Sequence, residues 1–343
     1  MGEDAGQPEF APQSARNSKK KILTSPALLG LLYAASLVAA VLLVFVSPKT
    51  PAVEDSRKIA PSKVGLSFLN IDGDAIGLVK LDGLIAMDRQ GFWGDTMIDR
   101  TRKSLERLAK KKQVKAIVLR INSPGGTVAA SQELYRAIGE LRKKHNKPII
   151  ALLGDVAASG GYYVACACDK IVAEPGTITG SIGVIFQTTH FDALAKRFGV
   201  GFNTIKSGLY KDIGNPARPM TLEERRILQS LVDTAYKQFV KAVADGRGYD
   251  FDRAKKLADG RIMIGEGAQA VGLVDEISGH AGAIRLAKEL GKIKGEPKII
   301  RDVDFREDLI EELLQGRADL QFLNFLQKKA VPASGLLYLW TGY

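Results

Sequence analysis

Two short stretches, "INSPGG" at 121–126 and "AASGG" at 157–161, hold the residue types that acyl transfer requires. In the second, Ser159 follows an apolar run and is flanked only by alanine and glycine, so its hydroxyl would lie accessible at a strand-to-helix turn, near the positive end of the helix. In the first, Pro124 fixes φ while Gly125 and Gly126 permit a backbone path that larger residues resist, so that amide N–H groups face open space at a helix start. A nucleophile beside backbone donors aimed at a developing oxyanion is the minimum equipment for attack on a carbonyl. Each turn alone suits plain packing equally well; two of them after successive strands point to a site.

A serine hydroxyl needs a base. Of the three histidines, His145 in "RKKHNKP" and His280 in "ISGHAG" read as surface residues, which leaves His190 in "TTHFDAL" as the histidine placed to serve Ser159. Lysine is the other choice. At a reference pKa near 10.4 only about one lysine in 2,500 is neutral at pH 7, but burial that lowers the value by about three units makes lysine competitive with histidine. The loop "KSGLYKDIGNPARPM" supplies Lys206 and Lys211. By residue type alone, His190, Lys206 and Lys211 all stay open.

The elements that must position these groups alternate between strand and helix patterns. "IGLVKLDGLI" alternates as a strand, Asp95 to Lys112 has helical spacing, and "VKAIVLRI" is a continuous apolar strand running into "NSPGG". A helix from Thr127 to Lys144 places Leu134, Ile138 and Leu141 on one face, "PIIALL" is a further strand, and Ser159 to Cys168 reads as a short helix before the strand "KIVAE". Such alternation implies an α/β domain with parallel pairing. A long helix begins at Thr221 with the capping-box pattern "TLEE" and runs to about Asp245. "LIEELLQGRADLQFLNFLQKK" is also helical in pattern, and the tail "GLLYLWTGY" is too apolar to be left in water, so it should dock on the domain or on a neighbour.

At 343 residues, 45% of them hydrophobic and 25% charged, the chain can bury one large core. The formal net charge of +11 is scattered among acids without interleaved aromatics, and no nucleic-acid motif accompanies it, so nucleic acid is not an expected partner. Cys166 and Cys168 lie in an apolar stretch and read as small core residues, with neither a disulfide nor a metal site expected. Between Lys21 and Lys49 the chain carries no charge, and residues 27–46 have the length of a transmembrane helix. Arg16, Lys19, Lys20 and Lys21 precede it, which puts the N-terminus in the cytoplasm and the bulk of the chain outside it. The expected organisation is a cytoplasmic tail at 1–26, the membrane helix at 27–46, a proline-bearing linker at 47–65, a catalytic domain at 66–290 and an extension at 291–343.

Four stretches together, "LRINSPGGTV", "DVAASGGYYVACACDKIVAEPGTITGSIGV", "IKSGLYKDIGNPAR" and "DGRIMIGEGAQAVGLVDEI", closely resemble the signal peptide peptidase A family in its short, single-repeat form. The likeness runs from near Leu78 to Ile277 in the same order. It implies a Clp protease/crotonase-like spiral of βα units and a Ser-Lys dyad protease with no cofactor. Ser159 would be the nucleophile, Lys211 the general base, Ser181 in "TGSIGV" an auxiliary serine that orients the lysine, and the amides of Gly126 and Gly160 the oxyanion hole. Because long forms draw the lysine and the serine from two tandem halves, a single-repeat chain would complete each site between neighbouring protomers of a homo-oligomer. The implied substrates are remnant signal peptides and other apolar peptides, met at the outer face of a bacterial inner membrane and read through a lipophilic pocket preferring small or apolar side chains. The rivals are a crotonase-like acyl-CoA enzyme, since two backbone amides polarise a thioester equally well, and a catalytically inactive membrane scaffold.

Overall fold

The structure, a computed structural model, describes residues 73–87, 96–302 and 337–340. The tail at 1–26, the expected membrane helix at 27–46, the linker and the helical pattern before the tail lie outside these residues. Among the described residues no helix is long and apolar enough to cross a membrane.

In chain order the elements are β1 (Ala75–Asp82), α1 (Met97–Lys110), β2 (Val114–Ser123), β3 (Gly125–Thr127), α2 (Val128–His145), β4 (Ile149–Ala158), α3 (Gly160–Ala165), β5 (Lys170–Ala173), β6 (Ile178–Gly180) and α4 (Asp192–Arg197). Then follow α5 (Leu222–Arg247), α6 (Phe251–Lys256), β7 (Ile262–Ile264), α7 (Gly265–Ala270), β8 (Glu276–Ile277), α8 (Gly279–Leu290), β9 (Lys298–Arg301) and β10 (Leu337–Leu339). The main sheet runs β7-β6-β4-β2-β1-β9, with β5 on β4 and β8 on β5, and every pairing is parallel except β6 with β7.

The apolar runs of β2 and β4 lie at the sheet's centre because both of their faces are covered. On one face, α1, α2, α3 and α5 bury Leu105, Leu134, Tyr162 and Phe239 against Val79, Leu119 and Leu153. On the other, Ala283 and Ala287 of α8 pack on Ile76, Val118 and Ile150. Capping fixes where the helices begin. The Thr96 hydroxyl accepts from the Asp99 N–H at 3.1 Å and the Thr221 hydroxyl from the Glu224 N–H at 3.2 Å, and in both the cap's own amide donates back to the carboxylate. The long helix ends at Arg247, with Gly248 in the left-handed region.

β4 does two jobs. Its first half, Ile150 to Leu152, pairs with β5, and its second, Val156 to Ala158, pairs with β6. The change occurs where its register with β2 slips, from Ile121 opposite Leu153 to Ser123 opposite Ala157. Side chains satisfy the backbone groups freed there: Asn122 Oδ1 accepts from the Val156 N–H at 3.1 Å, and the Thr177 hydroxyl donates to the Gly154 carbonyl at 2.9 Å. The bulge turns the strand's end away from the sheet and places the following residue, Ser159, beside β6.

Cys166 and Cys168 are free and buried, as their surroundings predict, and burial pushes the Cys166 thiol up to about 12. His145 differs from expectation. It is the last residue of α2, half-buried rather than solvated, and its Nε2 is enclosed without a hydrogen-bond partner among the described residues. The helix expected to end at Lys144 runs one residue further, to His145, and Asn146 in the left-handed conformation closes it just beyond.

Two glycines test this packing. On an open helix surface Gly→Ala stabilises by about 0.5–1 kcal/mol, and Gly139 on α2 has nothing within 4 Å of an added Cβ. At Gly246 on α5 the same methyl would stand 2.2 Å from the Cys166 carbonyl oxygen. Thermal melts should show Gly139→Ala raising the midpoint by a few degrees and Gly246→Ala costing about 1–3 kcal/mol; a shift of the same sign in both would contradict the packing.

Candidate active site

Ser159 joins β4 to α3, and its backbone is in a region that L-residues avoid, with φ 52° and ψ −116°. Its amide donates to the Gly180 carbonyl at 2.9 Å and its carbonyl accepts from Tyr163 at 2.8 Å, so both sides of the strained residue are pinned. The hydroxyl does not cap the helix, which leaves it available for other work. Because Ala158 pairs with Gly180, the residue following each strand is a neighbour of the other, and Ser181 is that neighbour. Ser181 is itself at φ 49°, held by its amide to the Arg261 carbonyl at 2.8 Å.

The turn after β2 supplies the opposite wall. The Ser123 hydroxyl accepts from the Gly125 N–H at 3.1 Å, and Ile85 bonds β3 on both sides, donating to the Gly125 carbonyl and accepting from Thr127, each at 2.8 Å. A Cβ on Gly126 would fall 1.8 Å from the Ile85 oxygen. Gly160 is equally confined: its Cβ would lie 2.5 Å from Ser131 Oγ and 3.1 Å from the Gly126 nitrogen. Absence of side chains is what lets the Gly126 and Gly160 amides approach each other. The structure thus brings together Ser159, Ser181, Gly126 and Gly160 at one end of the sheet. Two backbone amides converging beside a strained serine are equipped to polarise a carbonyl and receive its developing charge.

The candidate bases separate. His190 is an exposed residue whose Nδ1 faces Asp192 at 3.0 Å. Lys206 is committed, its ammonium donating to Asp212 Oδ1 at 2.6 Å and to the Leu209 carbonyl at 2.9 Å. Lys211 is exposed, and among the described residues its side chain makes no hydrogen bond or ion pair and does not reach Ser159. The loop that carries it is tied down by Arg218, which donates to Asp212 Oδ2 at 2.9 Å and to Glu224 Oε2 at 2.8 Å. Arg218 holds the Asp212 carboxyl well below its usual range and Glu224 down to about 2.

Several residues that build this site carry no sequence signal of their own. Ile85 acts through its backbone, Ser131 fills the space beside Gly160 while donating to the Thr127 carbonyl at 3.0 Å, and Asn122 looks like part of a glycine turn although it repairs the β2–β4 ladder.

Residues 141–294 match the model of peptidase family S49, and residues 86–175 match that of the Clp protease family; both matches contain Ser159. A provisionally named protease of Methanocaldococcus jannaschii is 40% identical over 247 residues, 69% of this chain and 78% of that protein. The chain belongs to peptidase family S49. Its relatives also include a provisionally named signal peptide peptidase SppA of Enterococcus faecium, 40% identical over 189 residues, 55% of each chain. Protease 4 of Salmonella typhi is 34% identical over 222 residues, 65% of this chain and 35% of that protein. The parallel-rich α/β sheet agrees with the Clp protease match, and S49 membership makes the chain a serine protease.

The Arg218 network gives the S49 chain a defined acid limit. Both carboxyls titrate lower folded than unfolded, so the tether is intact above the unfolded value near 4.3 and is lost as pH falls toward the folded value of about 2 for Glu224. Hydrogen exchange across 206–221, corrected for intrinsic rates, should accelerate as pH drops from about 5 to 3, and Arg218→Gln should remove that dependence. An unchanged wild-type pattern would show that Arg218 does not hold the loop.

Proposed function

We propose that this chain is a membrane-anchored serine endopeptidase in which Ser159 attacks the peptide and Lys211 of a neighbouring protomer is the general base. Ser181 orients the lysine, and the Gly126 and Gly160 amides bind the oxyanion. The observation that carries this reading is the adjacency of Ser159 and Ser181 on paired strand ends, facing the two convergent amides. In the first step the Ser159 Oγ bonds to the scissile carbonyl carbon while the lysine takes its proton. The C–N bond then breaks, the proton passes to the departing amine, and water, deprotonated by the same lysine, cleaves the acyl-enzyme to a free acid and restores the serine.

The exposed position of Lys211 supports a site shared between protomers. Around it the chain projects apolar side chains that a lone subunit would leave in water, Ile205 at 101% and Leu209 at 70% exposure, with Phe198 and Phe202 nearby. A second copy laid on this arm would cover them and carry the lysine to its neighbour's Ser159. Residues 27–46 would hold the domain at the outer face of the inner membrane, where apolar remnants of signal peptides are its substrates, in keeping with the SppA relative.

Ser159→Ala and Lys211→Ala should each lower kcat by at least a thousandfold on an apolar peptide. Mixed, reassembled subunits of the two inactive variants should regain about a quarter of wild-type activity, since random assembly pairs an intact serine with an intact neighbouring lysine in that fraction of sites. Full activity in either single variant would refute the dyad, and no recovery on mixing would place both groups in one chain.

A further inference from the structure

At the end of β4 remote from Ser159, roughly 30 Å away by the rise of ten extended residues, lies a cleft of about 1080 Å³. It opens between the C-terminal ends of α2 and α8 and the N-terminal ends of β2 and β4, and Lys112, Lys115, Arg142, Lys143, Lys147 and Lys292 line it against two carboxylates, Asp169 and Asp245. Both carboxylates are already matched. Arg142 donates to Asp169 at 2.9 Å, and Lys241 to Asp245 at 2.9 Å. Lys147 spends its ammonium on neutral groups, the Ala109 and Lys111 carbonyls at 2.6 and 2.7 Å. Lys112, Lys143 and Lys292 make no side-chain hydrogen bond or ion pair among the described residues.

Cations near helix C-termini ordinarily answer the helix dipole, which amounts to about half a negative charge per helix. Here that need is met by Lys144 in the last turn of α2 and Lys288 in that of α8, neither of which lines the cleft, whereas Lys112, Lys115, Lys147 and Lys292 stand outside the helices. Crowding of like charge is felt in the wall. Burial and the charge of Lys115 hold Lys147 below the ordinary lysine value, burial with the charges of Lys144 and Lys147 lowers His145, and the His145 Nε2 has no partner among the described residues. Lys292 is kept at φ 52°, where glycine or asparagine would cost less, with its amide donating to the Glu289 carbonyl at 3.0 Å. Cations gathered in a recess whose acids are already spent are complementary to an anion.

A single phosphate ion would leave most of this cleft empty, since such a volume suits a ligand of drug size or larger. Lys115 also reaches Asp74 at 3.5 Å, so the cleft adjoins the place where the chain enters β1. Residues 47–72 separate that entry from the candidate membrane segment at 27–46, a span that reaches at most roughly 90 Å when fully extended and so limits distance without setting orientation. We propose that the cleft binds the phosphate headgroups of an anionic bilayer and docks the domain with the N-terminal ends of β2 and β4 toward the lipid and the Ser159 turn away from it. The inference rests on the membrane-anchored reading and deepens it, because the anchor supplies proximity and the lysines supply the pose. Each lysine near an anionic surface raises partitioning about fivefold, so the three unpaired ones bias the docked pose by about a hundredfold.

The test reconstitutes the full chain into nanodiscs of phosphatidylcholine, alone or with phosphatidylglycerol, and follows amide hydrogen exchange. In the anionic discs exchange across 143–147 and 291–294 should slow roughly fivefold or more, and high salt, which shortens the screening length to about 3 Å at 1 M, should abolish the slowing. Lys112→Gln, Lys143→Gln and Lys292→Asn in one chain should abolish it too, the asparagine preserving the left-handed turn, while the same charge removed by Lys237→Gln, Lys255→Gln and Lys256→Gln should leave it intact. Equal exchange in neutral and anionic discs would overturn the proposal, as would equal loss in the two triple variants. The same slowing in neutral discs on adding inorganic phosphate would overturn the lipid assignment in favour of a free anion. Flotation with vesicles of the two compositions keeps the two levels apart. A chain that floats with neutral vesicles but gains no protection from anionic lipid defeats only this inference; one that floats with anionic vesicles alone keeps the docking surface and defeats the anchor, and one that floats with neither defeats both.

Discussion

The 2.9 Å hydrogen bond from the Ser159 amide to the Gly180 carbonyl is the contact on which the site depends. A serine at φ 52° is costly, by about 1–3 kcal/mol, and persists only where its surroundings over-determine it. Here β4 and β6 do so, since their pairing through Ala158 and Gly180 leaves the chain one exit direction. The pairing in turn exists because β4 abandons β5 after Leu152, and that divergence is tolerable because Asn122 and Thr177 satisfy the amide and carbonyl it frees. A chain of ordinary satisfied polar groups thus ends in one strained residue, whose buried hydroxyl is left out of the helix cap.

This dependence explains which parts of the molecule the amino-acid order disclosed. Long, periodic or doubly buried elements were legible: the strands around "VKAIVLRI" and "PIIALL", the helix opened by "TLEE", and the small-residue turn at Ser159 all stand where pattern and capping chemistry place them. Of the tail "GLLYLWTGY", too apolar to be left in water, Leu337–Leu339 pair with β3. What was hidden were roles set by long-range contact. Asn122 reads as turn chemistry although its work is in the ladder, Ile85 acts through main-chain atoms that no side chain advertises, and the placing of Ser181 depends on a strand pairing that composition does not encode. His145 failed for a related reason, because its half-burial at the end of a helix whose neighbouring Lys143 and Lys144 are exposed depends on contacts distant in sequence.

Electrostatics divides two lysines that composition treats alike. Asp212 already faces Arg218 and accepts the Lys206 ammonium, so Lys206 serves the loop's own structure. Lys211, one residue before Asp212, is exposed and makes no side-chain hydrogen bond or ion pair among the described residues. A base that must reach another protomer has to be both unpaired and held on a stiff support, because a long flexible side chain on a mobile loop would lose the geometry that proton transfer needs. The Arg218 fork between Asp212 and Glu224 supplies that stiffness without engaging the lysine, which is how the proposed shared site reconciles an exposed lysine with a serine buried in the chain's interior.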